Sequence, residues 1–204
     1  MSRIQLDALD DSQYDVLKEL GNIGAGNATT ALACMLNEKI DMSVPKVTLV
    51  PFNRMSEVFG SEETILAGIL IGLEGDVSGM MMFLLHEESA HNLVNVIVGN
   101  PPDKKDPFSE IEMSALSEMG NIIAGSYLSA MSGITGLTIT ASIPYTAIDM
   151  AGALLSLPAT EYGKIGDKVL LIQTQFGEHD FVNGYFIMVP ELESYEKILN
   201  SLGL

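Results

Sequence analysis

The sequence contains the stretch DVLKELGNIGAG at residues 15–26, and a second version of it, SALSEMGNIIAG, at residues 114–125. Corresponding positions of the two copies are 99 residues apart, and the same offset relates Pro45 to Pro144 further along the chain. A repeat with a fixed offset indicates repeated structural units. The sequence therefore predicts a fold of two similar halves with two equivalent sites.

Both copies have the residue spacing of an amphipathic helix. At about 100° per residue, four polar or small residues of each copy fall within an arc of about 60°, opposite an apolar stripe. This outer ridge consists of Asp15, Glu19, Asn22 and Gly26 in the first copy and of Ser114, Glu118, Asn121 and Gly125 in the second. Asparagine is a mediocre helix former, and glycine destabilises a helix by about 1 kcal/mol relative to alanine. Their presence in both ridges indicates that another molecule approaches these helices closely.

The glycines of the first copy also resemble a nucleotide-binding loop. A dinucleotide fingerprint follows a strand and opens a helix, whereas these glycines lie inside a helical pattern that begins near Ser12. A P-loop requires Gly-Lys-Ser/Thr, and Asn27 and Ala28 stand at that place. The pattern therefore disfavours nucleotide binding.

The composition limits the classes of function. The 204 residues are 47% hydrophobic and 18% charged, as in a folded globular protein. A net charge of −17 argues against nucleic acid and anionic membrane surfaces as partners. The longest apolar run, at 80–85, is too short to span a bilayer. We expect a protein that neither binds nucleic acid nor inserts into a membrane.

The single cysteine, Cys34, excludes an intramolecular disulfide and suits a reducing cytosol, so we expect a cytoplasmic protein. Its helical position is predicted to lie toward the apolar side, as a small buried residue. The three histidines are scattered, and no His, Cys and carboxylate spacing indicates a metal site. We therefore expect neither a metal nor a cofactor on this chain.

Each half is predicted to continue with a β-hairpin and a helix. The hairpins are predicted at 64–85 and 168–189, the helices that follow at 87–98 and 192–202, and a loop at 158–166. A join rich in Pro, Asp and Lys at 100–107 precedes Ser109 and Glu112, which predict a capping box for the second long helix.

About three strands in each half are too few for two independent units. We therefore predict an α/β (α+β) fold with a single pseudo-twofold domain over 1–204. Two long helices and the hairpins would share a mostly antiparallel sheet of about six strands. The two repeats would span about 10–100 and 108–204.

The full pattern is Asp15-x3-Glu19-x2-Asn22-x22-Pro45, repeated as Ser114-x3-Glu118-x2-Asn121-x22-Pro144. It resembles the signature of the CheC/CheX/FliY family of chemotaxis phosphatases, which act on the phosphorylated response regulator CheY. The resemblance covers nearly the whole chain, and both copies satisfy the pattern. It implies a protein phosphatase with two working sites.

The resemblance also implies how such a site works. The regulator supplies the phosphoryl aspartate, a Mg²⁺ ion and a lysine, and phosphoryl transfer needs mainly positioning and charge stabilisation. Asn22 and Asn121 are expected to orient the hydrolytic water, because an amide both donates and accepts hydrogen bonds. Glu19 and Glu118 would pair with the regulator's lysine. The supporting positions are Asp15, Ser114, Gly26, Gly125, Pro45 and Pro144. Apart from the resemblance, we infer from their outward position that the two glycines leave room for the partner's backbone.

Simpler explanations exist for single residues of this pattern. A glutamate on an outer face is most often a solvated charge, a proline often fixes the entry of a strand, and an asparagine can be structural. A second function also stays open, because the resemblance implies that two-copy members bind the receptor deamidase CheD. Asp149 and Met150, after the second proline, would lie in that binding surface, and a short core helix with one exposed carboxylate is the alternative there.

Overall fold

The computed structural model describes residues 11–36, 46–162, 168–176 and 182–203. The first half contains α1 (Asp11–Leu36), β1 (Lys46–Pro51), a 3₁₀ turn (Phe52–Arg54), α2 (Met55–Val58), β2 (Ile65–Gly75), β3 (Gly79–His86) and α3 (Glu87–Val98). The second contains α4 (Glu110–Thr135), β4 (Ile139–Ala141), β5 (Tyr145–Met150), α5 (Ala151–Tyr162), β6 (Lys168–Phe176), β7 (Val182–Pro190) and α6 (Leu192–Ser201).

The strands form one sheet in the order β1-β6-β7-β3-β2, and both β5 and β4 pair with the far side of β2. Every pairing between the described strands is antiparallel. The strands that follow each long helix pair with the hairpin of the other half, β1 with β6, and β4 and β5 with β2. The prediction of a shared, mostly antiparallel sheet is confirmed. The limits of the two repeats stay a prediction.

The centre of the sheet is symmetric in its register. Gly79 pairs with Pro190 and Leu85 pairs with Gly184. Gly79 and Gly184 are 105 residues apart, as are Leu85 and Pro190, so each pair is the image of the other. Residues 82 and 187, also 105 apart, face each other midway between them. A pseudo-twofold axis therefore passes between β3 and β7.

The sheet is covered on both faces. Successive side chains of a strand point to opposite faces, so Met81 and Phe83 join the core under α1, α3, α4 and α6, whereas Met82 and Leu84 join the core under α2 and α5. β3 is buried at every position from Gly79 to Leu85. The two long helices thus lie on one face of the sheet, with their outer sides directed away from it.

Close packing fixes α1 and α4 side by side. A Cβ atom on Gly24 would lie 2.3 Å from Cε2 of Tyr127, and one on Gly120 would lie 2.5 Å from Cγ2 of Ile69 in β2. Tyr127 is fully buried, and its ring stacks on that of Phe186 at 5.9 Å. Glycine is required at 24 and 120 because the neighbouring side chains occupy the space of a methyl group.

The predicted loop at 158–166 is wrong in its first part, because α5 continues through Pro158 to Tyr162; residues 163–166 lie outside the described part. Proline in a helix interior costs about 3 kcal/mol. Here Ala151 and Leu155 anchor the helix in the second core, so tertiary packing outweighs the local signal. In the described ranges no helix is both long and apolar enough to cross a bilayer.

Candidate functional site

The outer ridges of α1 and α4 lie on the same face of the molecule. Six of their eight residues are exposed: Asp15, Glu19, Ser114, Glu118, Asn121 and Gly125. Asn22 and Gly26 are half-buried. Among the described residues neither Glu19 nor Glu118 is paired with a cation. Both carboxylates are therefore available to a cation on another molecule.

The two asparagines differ in their surroundings. The Oδ1 atom of Asn22 is buried and has no hydrogen-bond partner among the described residues, whereas Asn121 is exposed. A buried acceptor without a partner costs about 1–3 kcal/mol. Since the Asn22 carbonyl oxygen holds no other described group in place, the arrangement argues against a structural role for this oxygen.

A groove of about 460 Å³ lies between the outer sides of α1 and α4. It is lined by Asn27, Thr30, Ala31 and Cys34 from α1 and by Asn121, Ile122, Gly125, Ser126 and Ser129 from α4. Asn27 Nδ2 donates to the carbonyl oxygen of Ile23 at 2.9 Å, and Thr30 Oγ1 donates to that of Gly26 at 3.0 Å. Because these side chains fold back on their own helix, the α1–α4 groove has a floor of small groups.

Cys34 is exposed and lines this groove, so its prediction as a buried residue is wrong. It follows Glu19 by 15 residues, which is slightly more than four helical turns. Around the helix axis, Cys34 therefore lies within about 60° of Glu19, on the outer side of the helix and away from the apolar stripe.

The two ridges run in opposite directions. Gly24 contacts Tyr127, and the later Cys34 lines the same groove as the earlier Asn121, so α1 and α4 are antiparallel. Because Gly24 lies against Tyr127, the α1 residue level with Asn121 is Thr30, six positions after Gly24. Thr30 follows Asn22 by eight residues, which corresponds to roughly 12 Å along a helix at 1.5 Å per residue. Asn121 lines the α1–α4 groove, whereas the α1 residues that line it begin at Asn27, five residues after Asn22.

The start of α4 is held by a buried carboxylate. Ser109 and Glu112 form the predicted capping box, which is confirmed. Glu112 Oε1 also accepts hydrogen bonds from Lys104 Nζ at 2.6 Å and Asn100 Nδ2 at 2.7 Å. The hydrogen bonds from Lys104 and Ser109 lower the pKa of Glu112 to about 2. Sequence reasoning found the cap and missed Asn100 and Lys104, which belong to the join between the halves.

The remaining predicted positions lie away from the ridges. Pro45 lies outside the described residues, and Pro144 is half-buried directly before β5. Asp149 and Met150 are exposed at the end of β5, and Asp149 Oδ1 accepts from the Met150 amide at 2.8 Å. Sequence reasoning missed two apolar residues that flank Pro144 and are largely exposed, Ile143 at 92% and Tyr145 at 69%.

The ridges carry few of the groups that a self-sufficient hydrolase needs. No cluster of three His, Cys, Asp or Glu side chains that could hold a metal exists in the part of the chain that the structure describes. Glu and Asn can hold a cation and a water, respectively, but neither neutralises the charge of a phosphoryl group. The site is suited to complete the active centre of another molecule.

Known proteins have related sequences. The model of the CheC-like family matches residues 13–49, and that of the chemotaxis phosphatase CheX matches residues 67–161. Over 200 residues the chain is 35% identical to the CheY-P phosphatase CheC of Bacillus subtilis, a match that covers 96% of each chain.

Solved structures share the fold. Thermotoga maritima FliY matches with a TM-score of 0.75 and 20% identity, over 96% of this chain and 98% of that chain. A chain in the CheX-CheY-BeF₃-Mg²⁺ complex of Borrelia burgdorferi matches with a TM-score of 0.54 and 19% identity, over 85% and 96%. At these identities the likeness concerns the fold alone.

Proposed function

The chain belongs to the CheC-like family of chemotaxis proteins, and on that premise we propose that it hydrolyses the aspartyl phosphate of the response regulator CheY. The observation that carries the proposal is the duplicated Glu-x2-Asn ridge, exposed on two adjacent helices that pack on one sheet. The relative in Bacillus subtilis is a CheY-P phosphatase.

In the proposed mechanism one ridge enters the phosphorylation site of the regulator. The amide of Asn22 or Asn121 holds a water in line with the phosphorus. At Asn22, where Oδ1 is buried, the Nδ2 group donates to that water. Glu19 or Glu118 pairs with a lysine of the regulator and fixes the helix in place. The Mg²⁺ ion bound by the regulator neutralises charge on the phosphoryl group.

Contact with the regulator is supported by the CheX-CheY complex, in which a protein of this fold is bound to CheY with BeF₃ and Mg²⁺. The aspartyl phosphate and the metal would come from CheY. The water-orienting amide and the carboxylate that anchors the helix would come from this chain. Asp15 and Ser114, one turn before each glutamate, would contact the regulator at the rim of that site.

The double variant Asn22→Ala/Asn121→Ala tests the proposal. It should lose about 100-fold or more of the CheY-P phosphatase activity, because misplacing a reacting group has an effect of this size. Its stability should equal or exceed that of the parent, because the change removes a buried acceptor without a described partner and replaces asparagine by a better helix former.

A matched control is Asn53→Ala/Asn200→Ala, which removes two exposed asparagines outside the ridges. Released phosphate and thermal unfolding would be measured for both double variants. Normal hydrolysis by the Asn22/Asn121 variant, or its unfolding, would contradict the assignment of these residues.

The second candidate function is that of an adaptor for CheD. It is favoured by the edge strand β5, which ends at the exposed Asp149 and Met150 and begins at the exposed Tyr145. CheY-P hydrolysis measured with and without CheD separates the two functions. An adaptor would bind CheD and leave the rate of phosphate loss unchanged in both reactions.

A further inference from the structure

We propose that the two ridges act alternately: one CheY molecule occupies the α1–α4 face at a time, and it covers the groove between the sites whichever ridge it uses. The inference rests on the proposed function. It concerns the stoichiometry of binding and a shared contact surface, neither of which follows from the presence of two copies of a motif.

Both ridges point in the same direction. Ala28 and Tyr127 each follow the ridge glutamate of their helix by nine residues, which places them about 180° from it. Both are fully buried against the core on the sheet. Glu19 and Glu118, on the opposite sides, therefore face directly away from the sheet, so two partners would approach along nearly parallel paths.

The two sites are too close for two partners on parallel paths. They are separated by roughly 12 Å along the helix axes and by about 8–10 Å between neighbouring helices, which together give about 15 Å. A folded domain of about 100 residues has a radius of gyration of about 13 Å and a diameter of about 34 Å as a sphere. A domain bound at one ridge therefore occupies the space in front of the other.

The floor between the ridges is suited to contact with a broad surface. Thr30, Ser126 and Ser129, all small residues, line the groove together with Ile122 and other residues of both helices. Thr30 and Ser129 are 99 residues apart and thus occupy equivalent positions of the two repeats. A partner on either ridge would meet the same floor in nearly the same way.

The stoichiometry can be measured with CheY from the same chemotaxis system, loaded with BeF₃ and Mg²⁺ so that it is not turned over. Sedimentation velocity with increasing CheY should reach one CheY per chain and no more, for the parent and for the Asn22→Ala and Asn121→Ala variants. A complex with two CheY molecules would overturn the inference and leave the proposed function intact. The absence of any complex would overturn the proposed function, and the inference with it.

The shared floor is tested by Ser129→Arg, placed separately in the Asn22→Ala and Asn121→Ala backgrounds so that each site is assayed alone. Its control is Ser156→Arg, an exposed serine of α5 on the opposite layer with the same change in charge. Ser129→Arg should lower kcat/KM for CheY-P at least tenfold in both backgrounds, and Ser156→Arg should change it less than twofold. A loss of kcat/KM in only one background, or no loss in either, would overturn the inference that both sites share this contact surface.

Discussion

Glu112 is only 2% exposed and carries a charge inside the join between the two halves of the molecule. Its pKa lies near 2 because Lys104 and Ser109 donate hydrogen bonds to the ionised carboxylate. A group whose pKa is lower in the folded state stabilises the fold above its unfolded pKa, and the stabilisation is lost as the pH falls through the folded pKa. The window here runs from about 4.5 down to about 2.

We predict that Glu112→Gln lowers stability at neutral pH and removes the part of the pH dependence that lies between about 4.5 and 2. Denaturant unfolding at several pH values would measure it, with Glu88→Gln as a control. Glu88 is paired with Lys105 on the surface, where ion pairs contribute little. Identical pH profiles for the parent and Glu112→Gln would refute this role of the carboxylate.

At the scale of residues, the sequence predicts which side chains of the long helices point outward. Helical spacing depends only on a residue's own helix, so Glu19, Glu118 and Asn121 were placed correctly on the exposed side. The burial of Asn22 Oδ1 depends on neighbouring groups and could not be read from that spacing. The same limit applies to the hydrogen-bond partners of Glu112. They lie in the irregular join between the halves, where no periodic pattern predicts contacts.

At the scale of elements, the glycines of the two long helices fall into two kinds. Gly24 and Gly120 leave no room for a methyl group, whereas Gly26, Gly125 and Gly133 have no atom within 4 Å of an added Cβ. The first kind is explained by packing within the chain. The second kind has no such explanation, and for the two ridge glycines the approach of the partner's backbone is the reason that we propose.

Gly125→Ala should therefore stabilise the free protein by up to about 1 kcal/mol, the difference in helix propensity, and should lower CheY-P hydrolysis at least tenfold in the Asn22→Ala background. Gly133→Ala is the control, because it makes the same change 12 residues from Asn121, roughly 18 Å away. It should stabilise the helix and leave the activity of the second site unchanged. Equal activities of the two variants would show that Gly125 is not needed for the partner.

The hairpins and long helices were predictable because their hydrophobic periods and turn residues are local signals. α5 was only partly predictable, since Pro158 is a local signal for a break that packing of Ala151 and Leu155 outweighs. The short β4 has only three residues, too few for a periodic pattern.

At the scale of the whole molecule, the exchange of edge strands joins the halves. β1 pairs with β6 and β5 with β2, so each half completes the sheet of the other. A shared sheet followed from the small number of strands in each half. Which strand pairs with which could not be predicted, because pairing depends on contacts that are distant in the sequence.

Fragments 1–100 and 105–204 should therefore not fold separately. Each would lose an edge pairing of its hairpin and the partner of its central strand, and the close contact of α1 with α4 would be exposed. Proton–nitrogen NMR spectra of the isolated fragments should show the poor dispersion of unfolded chains. Well-dispersed spectra from either fragment alone would contradict the shared core.

The central claim is that this chain contributes a water-positioning amide to an active centre whose metal and charge neutralisation belong to CheY. The measurement that tests it most directly compares phosphate release from CheY-P and from p-nitrophenyl phosphate, each with Mg²⁺ and with the metal chelated. We predict rapid, Mg²⁺-dependent release from CheY-P and no release from the small ester. Robust hydrolysis of p-nitrophenyl phosphate by the pure protein, lost in Asn22→Ala/Asn121→Ala, would show a complete active site on this chain and contradict the claim.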